Sequence, residues 1–315
     1  MSDGKGLTYI LGLPYSGSSL FAMALGNAEG FVNCGEINYL EQDYHEHRRC
    51  SCNALLADCP FWGPLIAQAH TRAAAKDPMP QFEPEAKYHP MYARRTSLSR
   101  RLSIILGRDL RDTYGAQSID DHLAQQLGFM QLVLEQTGAQ EIIDASKNAR
   151  RLQLLAEQDD LPLRVIVLSR QPENALGARI KRARRRTRWY WQALAPIYSL
   201  WLLFHHIQMR KALARVPTDR VLRVKYEDFV RDPASMEKVL GDWYGRPISF
   251  DRIGDREVNM RNTHVYTGNT WLTRGTQGPR STVLHAPLGA PELTWFELAQ
   301  FRVFAAIFPM LRRSP

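Results

Sequence analysis

Short apolar runs alternate with amphipathic segments along most of the chain. Strands are predicted at five apolar runs of strand length, residues 8–13, 30–36, 141–144, 161–170 and 220–229, the last of which continues into a helix. Helices are predicted at Ser18–Gly26, at Asp120–Gly138, from about Pro172, and over a segment that includes Met236–Trp243. Strands that alternate with helices in this way predict an α/β fold with a mostly parallel sheet. Ligands of such sheets bind beyond the carboxyl ends of the strands.

The alternation is interrupted between residues 37 and 117. This segment contains several prolines and basic turns, and we interpret it as an irregular insertion that carries short helices. The chain shows neither an internal repeat nor a clear linker, so residues 1–315 are predicted to form a single domain around this insertion.

Composition and charge narrow the class of ligand. The chain has 315 residues, of which 44% are apolar, enough to bury a sizeable core. Lys and Arg number 41 against 32 Asp and Glu, and the net charge of +9 favours an anionic ligand, an acidic polymer or a membrane surface. The start, "MSDGKGLTYILGL", lacks the pattern of a secretory signal, and there are four cysteines. We therefore expect a cytoplasmic protein with reduced thiols.

The segment from Leu11 to Leu25, "LGLPYSGSSLFAMAL", runs from a predicted strand through a Gly/Ser turn into a helix. Such a turn presents backbone N–H groups and the positive end of a helix dipole to an oxyanion. The position at which a kinase or NTPase loop needs lysine is Ser18, so a magnesium-bound triphosphate is disfavoured and a smaller phosphate group is not. The candidate binding residues are Tyr15, Ser16, Gly17, Ser18 and Ser19. An ordinary serine-capped turn stays an alternative for this loop taken alone.

The wider chain resembles the sulfotransferases that use 3′-phosphoadenosine 5′-phosphosulfate (PAPS), in particular the bacterial carbohydrate-type and the tyrosylprotein-type enzymes. The resemblance rests on the loop and on further motifs in the family's order: "CGE" at 34–36, "DASK" at 144–147, "VIVLSRQPENALGARI" at 165–180, "VKYEDFVRDP" at 224–233 and "GNTWLTR" at 268–274. "CSCNALLADCPFW" at 50–62 also resembles a segment of the bacterial branch. The resemblance implies a central parallel sheet like that of P-loop NTPases, flanked by helices, and sulfuryl transfer to a hydroxyl group with no metal required.

The same resemblance assigns roles to individual residues. Glu36 matches the family's general base, and Lys147, with Ser146 before it, matches the lysine beside the transferred group. Two simpler readings stay open: Glu36 as an exposed turn glutamate, and Lys147 as a solvated residue of a helix capped by Asp144 or Ser146.

Nucleotide-binding residues are carried over from the later motifs. Arg170 matches the arginine that holds the 3′-phosphate of the donor, and Ala178 stands at a position of the same motif. Gly268, Asn269 and Arg274 match a late loop that closes over the nucleotide.

The chain departs from the family pattern at two donor-binding positions. Tyr15 stands where related loops carry arginine or lysine, and Ala178 stands where the 3′-phosphate motif has serine. Lys147 or a residue of the basic helix would have to compensate for the first, and Arg179, Lys181 or Arg182 for the second. An altered donor or a degenerate enzyme therefore stays an alternative.

Three other segments suggest competing chemistry. His45, His47, Cys50, Cys52 and Cys59 could bind zinc, but their spacing is not that of a common zinc finger, and we favour a loop of reduced thiols that packs against "CPFW". The basic run at 179–188 could attract nucleic acid, which we disfavour because no nucleic-acid-binding motif surrounds it. The apolar stretch at 189–204 is too short to span a bilayer and predicts a core helix, with an interfacial membrane helix as the alternative.

The sequence thus predicts a PAPS-dependent sulfotransferase that acts on a saccharide, a glycolipid or a similar acceptor, with residues 37–117 on the acceptor side. Residues 179–204 could hold the protein at the inner face of the membrane. The alternatives are a small-molecule kinase on the same fold and a non-catalytic, basic nucleotide- or nucleic-acid-binding protein.

Overall fold

Five parallel strands form the central sheet of the protein. The structure, a computed structural model, describes residues 5–13, 15–74, 111, 115–184, 194–251, 257–259, 264–266, 281–283 and 293–308. The strands are β1 (Gly6–Gly12), β2 (Phe31–Asn33), β3 (Glu141–Asp144), β4 (Leu163–Ser169) and β5 (Val221–Lys225), in the spatial order β2-β3-β1-β4-β5. A separate antiparallel pair is formed by β6 (Glu257–Asn259) and β7 (Ser281–Val283).

Ten helices are described in these ranges. They are α1 (Ser18–Gly26), α2 (Leu40–His45), α3 (Trp62–Ala74), α4 (Ala116–Thr137), α5 (Ala149–Ala156), α6 (Pro172–Arg184), α7 (Leu194–Leu213), α8 (Tyr226–Arg231), α9 (Pro233–Tyr244) and α10 (Trp295–Ile307). Two short 3₁₀ turns lie at Ile37–Tyr39 and Thr218–Arg220. Within the described part of the chain, no helix combines the length and the hydropathy that a membrane span needs.

The two faces of the sheet carry separate apolar cores because successive side chains of a strand point to opposite faces. Leu7, Tyr9 and Leu11 of β1 pack on one face, in a cluster that also contains residues of α3, α4, α5 and α7. Ile10 of β1 faces the other side, in a cluster with residues of α1, α8 and α9. The predicted α/β fold with a helix-flanked parallel sheet is therefore confirmed.

Element boundaries differ from the prediction by four or more residues in three places, and by one or two residues elsewhere. The run at 30–36 contains only the three residues of β2 in strand conformation, because Gly30 and Gly35 adopt left-handed backbone (φ 78° and 63°) on either side of it. The helix predicted from Asp120 begins four residues earlier, after Gly115. The described helix of the aromatic stretch runs from Leu194 to Leu213, beyond its predicted end at residue 204.

The insertion is partly described. Between residues 37 and 117 the structure contains α2 and α3, which agrees with short helices in this region. Residues 75–110 and 112–114 lie outside the described ranges. The single-domain organisation stays a prediction.

Candidate active site

The loop between β1 and α1 has a backbone that few side chains allow. Tyr15 and Gly17 both adopt left-handed conformations, with φ of 72° and 87°. The Ser16 N–H donates a hydrogen bond to the carbonyl of Leu13 at 3.1 Å, which closes the turn. A side chain at Gly17 would collide with the ring of Tyr226, which lies directly against the loop. Glycine at position 17 is thus required by a tight turn that lies against an aromatic ring.

Polar groups with unused hydrogen-bonding capacity lie within this turn. Ser16 and Ser18 are buried, and within the part of the chain that the structure describes Ser16 Oγ has no hydrogen-bond partner. Helix α1 begins at Ser18, and the first amides of a helix have no partner inside it. An unpaired buried hydroxyl is costly unless a ligand or water satisfies it, so the turn is suited to an oxyanion.

Arg170 is fixed against the same loop from the neighbouring strand. It follows β4, which pairs with β1, and its Nη1 donates to the Tyr15 carbonyl at 2.8 Å. Its guanidinium carbon lies 5.4 Å from the centroid of the Tyr226 ring. Arg170 Nε is buried and has no hydrogen-bond partner among the described residues, so this side chain keeps donor capacity for an anion.

Tyr226 supports both the loop and Arg170, and it is not among the site residues predicted from the sequence. It stands at the end of β5 and packs on both Gly17 and Arg170. Burial raises the pKa of its phenol, an effect that the charge of Arg170 opposes. Its place in "VKYEDF", directly after an apolar strand, is the signal that could have identified it.

Glu36 and Lys147 form an ion pair at the ends of two adjacent strands. Glu36 follows β2, Lys147 follows β3, and Lys147 Nζ lies 2.7 Å from Glu36 Oε1. Both side chains are largely but not fully buried, with 13% of Glu36 and 14% of Lys147 exposed. The reading of Glu36 as an exposed turn glutamate and that of Lys147 as a solvated helix residue are therefore wrong.

The backbone around Lys147 is held in an unusual conformation. Lys147 has a φ of 59°, which a residue with a Cβ adopts at an energetic cost. The next residue, Asn148, is the N-cap of α5: its side chain accepts hydrogen bonds from the backbone N–H groups of Arg150 and Arg151. The hydroxyl of Tyr9 is hydrogen-bonded to both the N–H and the carbonyl of Asn148, at 2.9 Å each. Neither Asp144 nor Ser146 caps the helix, contrary to the alternative considered for this motif.

Ser146 is buried and its polar groups are already used. Its backbone N–H donates to Asp144 Oδ1 at 2.9 Å, its hydroxyl donates to the same oxygen, and the hydroxyl accepts the N–H of Asn38 at 3.4 Å. Asp144 Oδ2 in turn accepts a hydrogen bond from Arg151 Nε at 2.9 Å. These hydrogen bonds hold Ser146 next to the Lys147 loop, and its place among the catalytic residues stays a prediction.

The other predicted binding residues are placed as follows. Ser19 lies in the first turn of α1 and is half-buried. Ala178 lies in α6, half-buried, two turns after Arg170, and contributes no hydrogen-bonding side chain. Gly268, Asn269 and Arg274 lie outside the described residues, as does the basic run beyond Arg184.

A cavity of about 270 Å³ lies elsewhere in the molecule. It is lined by residues at the end of α1, along β2 and just before β3, together with Phe61 and His264. These segments border the amino ends of β2 and β3, whereas the candidate site lies beyond their carboxyl ends. The cavity is therefore not assigned to the reaction.

A parallel sheet of this strand order, with a glycine turn between its first strand and a helix, defines a P-loop-like α/β protein. The family model described as "Sulfotransferase family" matches residues 8–250. The chain therefore belongs to the sulfotransferase family, as the motif resemblance implied.

Similar solved structures come from the same kind of protein. The sulfotransferase domain of the Synechococcus PCC 7002 olefin synthase is 16% identical, with 96% of this chain and 97% of that chain covered and a TM-score of 0.44. A sulfotransferase from Mycobacterium avium is 15% identical over 98% of this chain and 69% of its own, with a TM-score of 0.42. The sulfotransferase domain from the curacin biosynthetic pathway is 12% identical over 99% of both chains, with a TM-score of 0.47. No curated protein sequence matches the chain.

Proposed function

We propose that this sulfotransferase moves a sulfuryl group from PAPS to a hydroxyl group of a saccharide, a glycolipid or a similar acceptor. The observation that carries the proposal is the 2.7 Å contact between Lys147 Nζ and Glu36 Oε1, which joins a cation to a proton acceptor at the ends of adjacent strands. Because residues 8–250 belong to the sulfotransferase family, sulfuryl transfer is the reaction that such a pair would serve.

The donor is proposed to bind along the β1–α1 loop. The unpaired Ser16 hydroxyl and the first amides of α1 suit the 5′-phosphosulfate, and the guanidinium of Arg170 suits the 3′-phosphate. Tyr15 brings no positive charge to the loop, so Lys147 and Arg170 are the cations proposed to offset the charge of the donor. Gly268, Asn269 and Arg274 are proposed to close over the nucleotide.

In the reaction, the acceptor oxygen attacks sulfur while the bond between sulfur and the bridging phosphate oxygen breaks. The proton of the acceptor hydroxyl passes to the carboxylate of Glu36, and the electron pair of the broken bond stays on the 5′-phosphate oxygen. Lys147 has three N–H donors, so it can keep its contact with Glu36 while it stabilises the charge that develops on the leaving phosphate. The products are a sulfate ester and adenosine 3′,5′-bisphosphate.

The other two candidate functions have less support. A kinase of this fold needs a lysine to reach the terminal phosphates, and Ser18, which stands at that position, is buried at the start of α1. A purely nucleotide- or nucleic-acid-binding role gives no reason for the strained backbone of Lys147 beside a carboxylate.

Calorimetric titration with adenosine 3′,5′-bisphosphate, with ATP and Mg²⁺, and with a random oligonucleotide tests the donor. Of the three ligands, we expect only the bisphosphate to bind well. Arg170→Gln should weaken this binding by about 10- to 100-fold, because a charge-assisted hydrogen bond contributes about 1.5–3 kcal/mol. Arg164→Gln is the matched control: Arg164 lies at the other end of β4 and contacts Glu141 at 3.3 Å. Binding of ATP without binding of the bisphosphate would refute the proposal.

Transfer itself is tested with PAPS that carries labelled sulfate, incubated with the protein and a cell extract. We expect label in the saccharide or glycolipid fraction. Bisphosphate binding without any labelled product, over extracts from several sources, would leave a nucleotide-binding protein and exclude the enzymatic proposal.

A lipid-linked acceptor is supported by apolar side chains that face solvent on two neighbouring helices. Ile197 and Leu200 of α7 are exposed, as are Ile307 and, at 81%, Trp295 of α10. We propose that this surface contacts the inner face of the membrane, where the acceptor would be presented.

Sedimentation with anionic vesicles tests this contact. We expect the wild-type protein to sediment with the vesicles and the double variant Ile197→Ser/Leu200→Ser to stay in the supernatant. The control Val239→Ser, which changes an exposed apolar residue of α9, should sediment like the wild type. Equal recovery of all three proteins would contradict membrane contact through this surface.

A further inference from the structure

Three cysteines and one histidine converge outside the candidate active site. The sulfur atoms of Cys50, Cys52 and Cys59 and one ring nitrogen of His264 all lie within 4.8 Å of one another. His264 Nδ1 is 3.3 Å from Cys59 Sγ and 3.6 Å from Cys50 Sγ, and the sulfurs of Cys52 and Cys59 are 3.6 Å apart. The cysteines are free thiols, so no disulfide accounts for their proximity.

These separations are close to those of a tetrahedral zinc site. With Zn–S of about 2.3 Å and Zn–N of about 2.0–2.1 Å, the edges of the tetrahedron are about 3.8 Å between sulfurs and about 3.5 Å between sulfur and nitrogen. The three observed distances differ from these edges by a few tenths of an ångström. A metal ion could therefore bind without a rearrangement of the backbone.

The backbone of the cysteine segment brings Cys50 and Cys52 to the same side. The N–H of Cys50 donates to the carbonyl of Ala54 at 2.9 Å, and the N–H of Asn53 donates to the carbonyl of Cys50 at 2.8 Å. Asn53 adopts a left-handed conformation with φ of 71°, which turns the chain tightly after Cys52. This turn supplies the convergence that the Cys-x-Cys spacing alone does not guarantee.

His264 is held in position by three separate contacts. Its ring stacks on Phe61, with centroids 5.3 Å apart and planes 11° apart. Its carbonyl accepts a hydrogen bond from Trp62 Nε1 at 2.7 Å. The next residue, Val265, exchanges two hydrogen bonds with Ser51, which lies between two of the cysteines. These neighbours, which are not themselves ligands, thus hold His264 with a ring nitrogen beside the thiols.

Cysteine binds metals as the thiolate. Three thiolates within 4.8 Å of one another need a cation to offset the repulsion between their charges.

We propose that Cys50, Cys52, Cys59 and His264 bind one Zn²⁺ ion as a structural site. Four protein ligands complete a tetrahedron and leave no position for substrate, so the role is structural and not catalytic. His45 and His47, which the sequence reading grouped with the cysteines, are not members of the cluster. The fourth ligand is instead separated from Cys59 by 205 positions in the chain.

The site would tie two distant parts of the chain together beside the candidate active site. Tyr266 donates a hydrogen bond to the carbonyl of Cys34 at 3.2 Å, two residues before Glu36. A Cβ at Gly35 would lie 3.6 Å from a methyl group of Val265, so this strand end and residues 264–266 are in contact. A metal at His264 would therefore stabilise the segment that supports Glu36, and it would fix the chain just before residues 268–274.

Metal analysis of the full-length protein, purified without a histidine tag and without chelator, tests the proposal. We expect about one equivalent of zinc per chain, and near-complete loss of zinc in His264→Ala and Cys52→Ser. Two variants are the matched controls. His47→Gln changes a histidine that the sequence places near the cysteines, and Cys34→Ser changes a buried cysteine outside the cluster of four ligands. Both variants should keep the metal.

Cobalt substitution of the wild-type protein provides a measurement that does not depend on whether the variants fold. Three thiolates and one imidazole around Co²⁺ should give thiolate-to-metal charge-transfer absorption and the intense visible bands of a tetrahedral site, and added zinc should abolish both. Removal of zinc should lower the melting temperature, and zinc added back should restore it.

Several results would overturn the proposal. Reduced protein that takes up neither zinc nor cobalt would show that the cluster is a group of packed thiols. A mass two hydrogens below that of the reduced chain, with Cys52 and Cys59 in one cross-linked peptide and no metal, would show that it is a redox pair. Zinc retained in His264→Ala at the wild-type level would remove the histidine from the site.

Discussion

Two ion pairs lie beyond the carboxyl ends of β2 and β3, and they differ in burial. Asp144 and Arg151 are 2.9 Å apart and neither side chain is exposed at all. Glu36 and Lys147 are 2.7 Å apart and each keeps a small exposed area. Two pairs of a carboxylate and a cation, whose cations Lys147 and Arg151 are four residues apart in the chain, therefore stand in different environments.

Burial decides what each pair can do. Asp144 uses both carboxylate oxygens, for Arg151 and for Ser146, so its partners are fixed and a ligand cannot reach it. Such a pair contributes little net stability but is costly to break, because one charge stays behind in the interior. Glu36 and Lys147 can each exchange part of their contact for a ligand. We infer that the first pair holds the loop and that the second carries the chemistry.

The largest effect is expected for Glu36→Gln, which removes the proton acceptor and keeps the shape of the side chain. Sulfuryl transfer from PAPS should fall by about 10²–10⁴-fold, the range for loss of a general base. The free energy of unfolding should fall less than on loss of the fully buried pair, because both Glu36 and Lys147 reach solvent and Lys147 is not left without water. Initial rates with labelled sulfate, together with urea denaturation of the same samples, measure both quantities.

Glu29→Gln is the matched control for this prediction, since Glu29 is exposed just before the other end of β2. It should leave transfer unchanged. If Glu36→Gln transferred sulfate at the wild-type rate, Glu36 would not be the base. If it unfolded instead, the pair would be structural and the distinction between the two pairs would be lost.

Breaking the buried pair should act on stability. Arg151→Met leaves the Asp144 carboxylate buried without its cation, so the free energy of unfolding should fall by about 3–5 kcal/mol. The activity of the protein that remains folded should fall far less than that of Glu36→Gln. Urea denaturation and transfer assays at low temperature separate these effects.

Two further variants test whether the uncompensated charge causes the loss of stability in Arg151→Met. Asp144→Asn/Arg151→Met removes both charges and should be more stable than Arg151→Met alone, because the uncompensated carboxylate is gone. Arg150→Met, at the neighbouring and more exposed position, should have a small effect. A double variant less stable than the single one would show that packing, and not charge, makes Arg151 important.

Much of the fold could be predicted from the sequence because the sheet is parallel and buried on both faces. β1 and β4 are nearly uninterrupted apolar runs, and such runs can be recognised without knowledge of their partners. The end of α7 could not be found in the same way. Its last nine residues include His205, His206 and Arg210, and their polar character conceals a face on which Met209 and Ala212 are buried.

The candidate site was predictable only where a motif names its residue. Glu36, Lys147 and Arg170 stand in family motifs at strand ends, and the structure brings the first two together and fixes the third on the loop. The partners that hold them do not follow from local spacing. Tyr226 packs on Gly17 and His264 lies beside Cys59, and each contact joins residues about two hundred positions apart, which local sequence patterns do not reveal.

The carboxylate of Glu41 differs from those of Glu36 and Asp144, because in the described part of the structure it has no cation partner. Glu41 lies in the first turn of α2, five residues after Glu36, and is half-buried. Burial raises the pKa of Glu41 from its ordinary value of 4.5 to about 7. Where Glu36 and Asp144 each face a cation, Glu41 bears the cost of desolvation alone.

Glu41→Gln should therefore become more stable than the wild type as pH rises from 4.5 to about 7, and should keep that advantage at higher pH. Well below pH 4.5 the side chain is neutral in the folded and the unfolded chain, so the variant should match the wild type. Between pH 4.5 and about 7 the unfolded wild type ionises Glu41 while the folded protein keeps it protonated, so the wild type loses stability that the variant keeps. After allowance for solvent screening we expect the variant to be more stable at pH 8 by on the order of 1 kcal/mol, measured by urea denaturation at pH 4.5 and pH 8. Glu46→Gln, which removes an exposed carboxylate paired with Arg48, should show no such gain. If the free energy of unfolding of the variant differed from that of the wild type by the same amount at both pH values, Glu41 would act through packing or hydrogen bonding. A carboxylate at this site would then be tolerated without a cation.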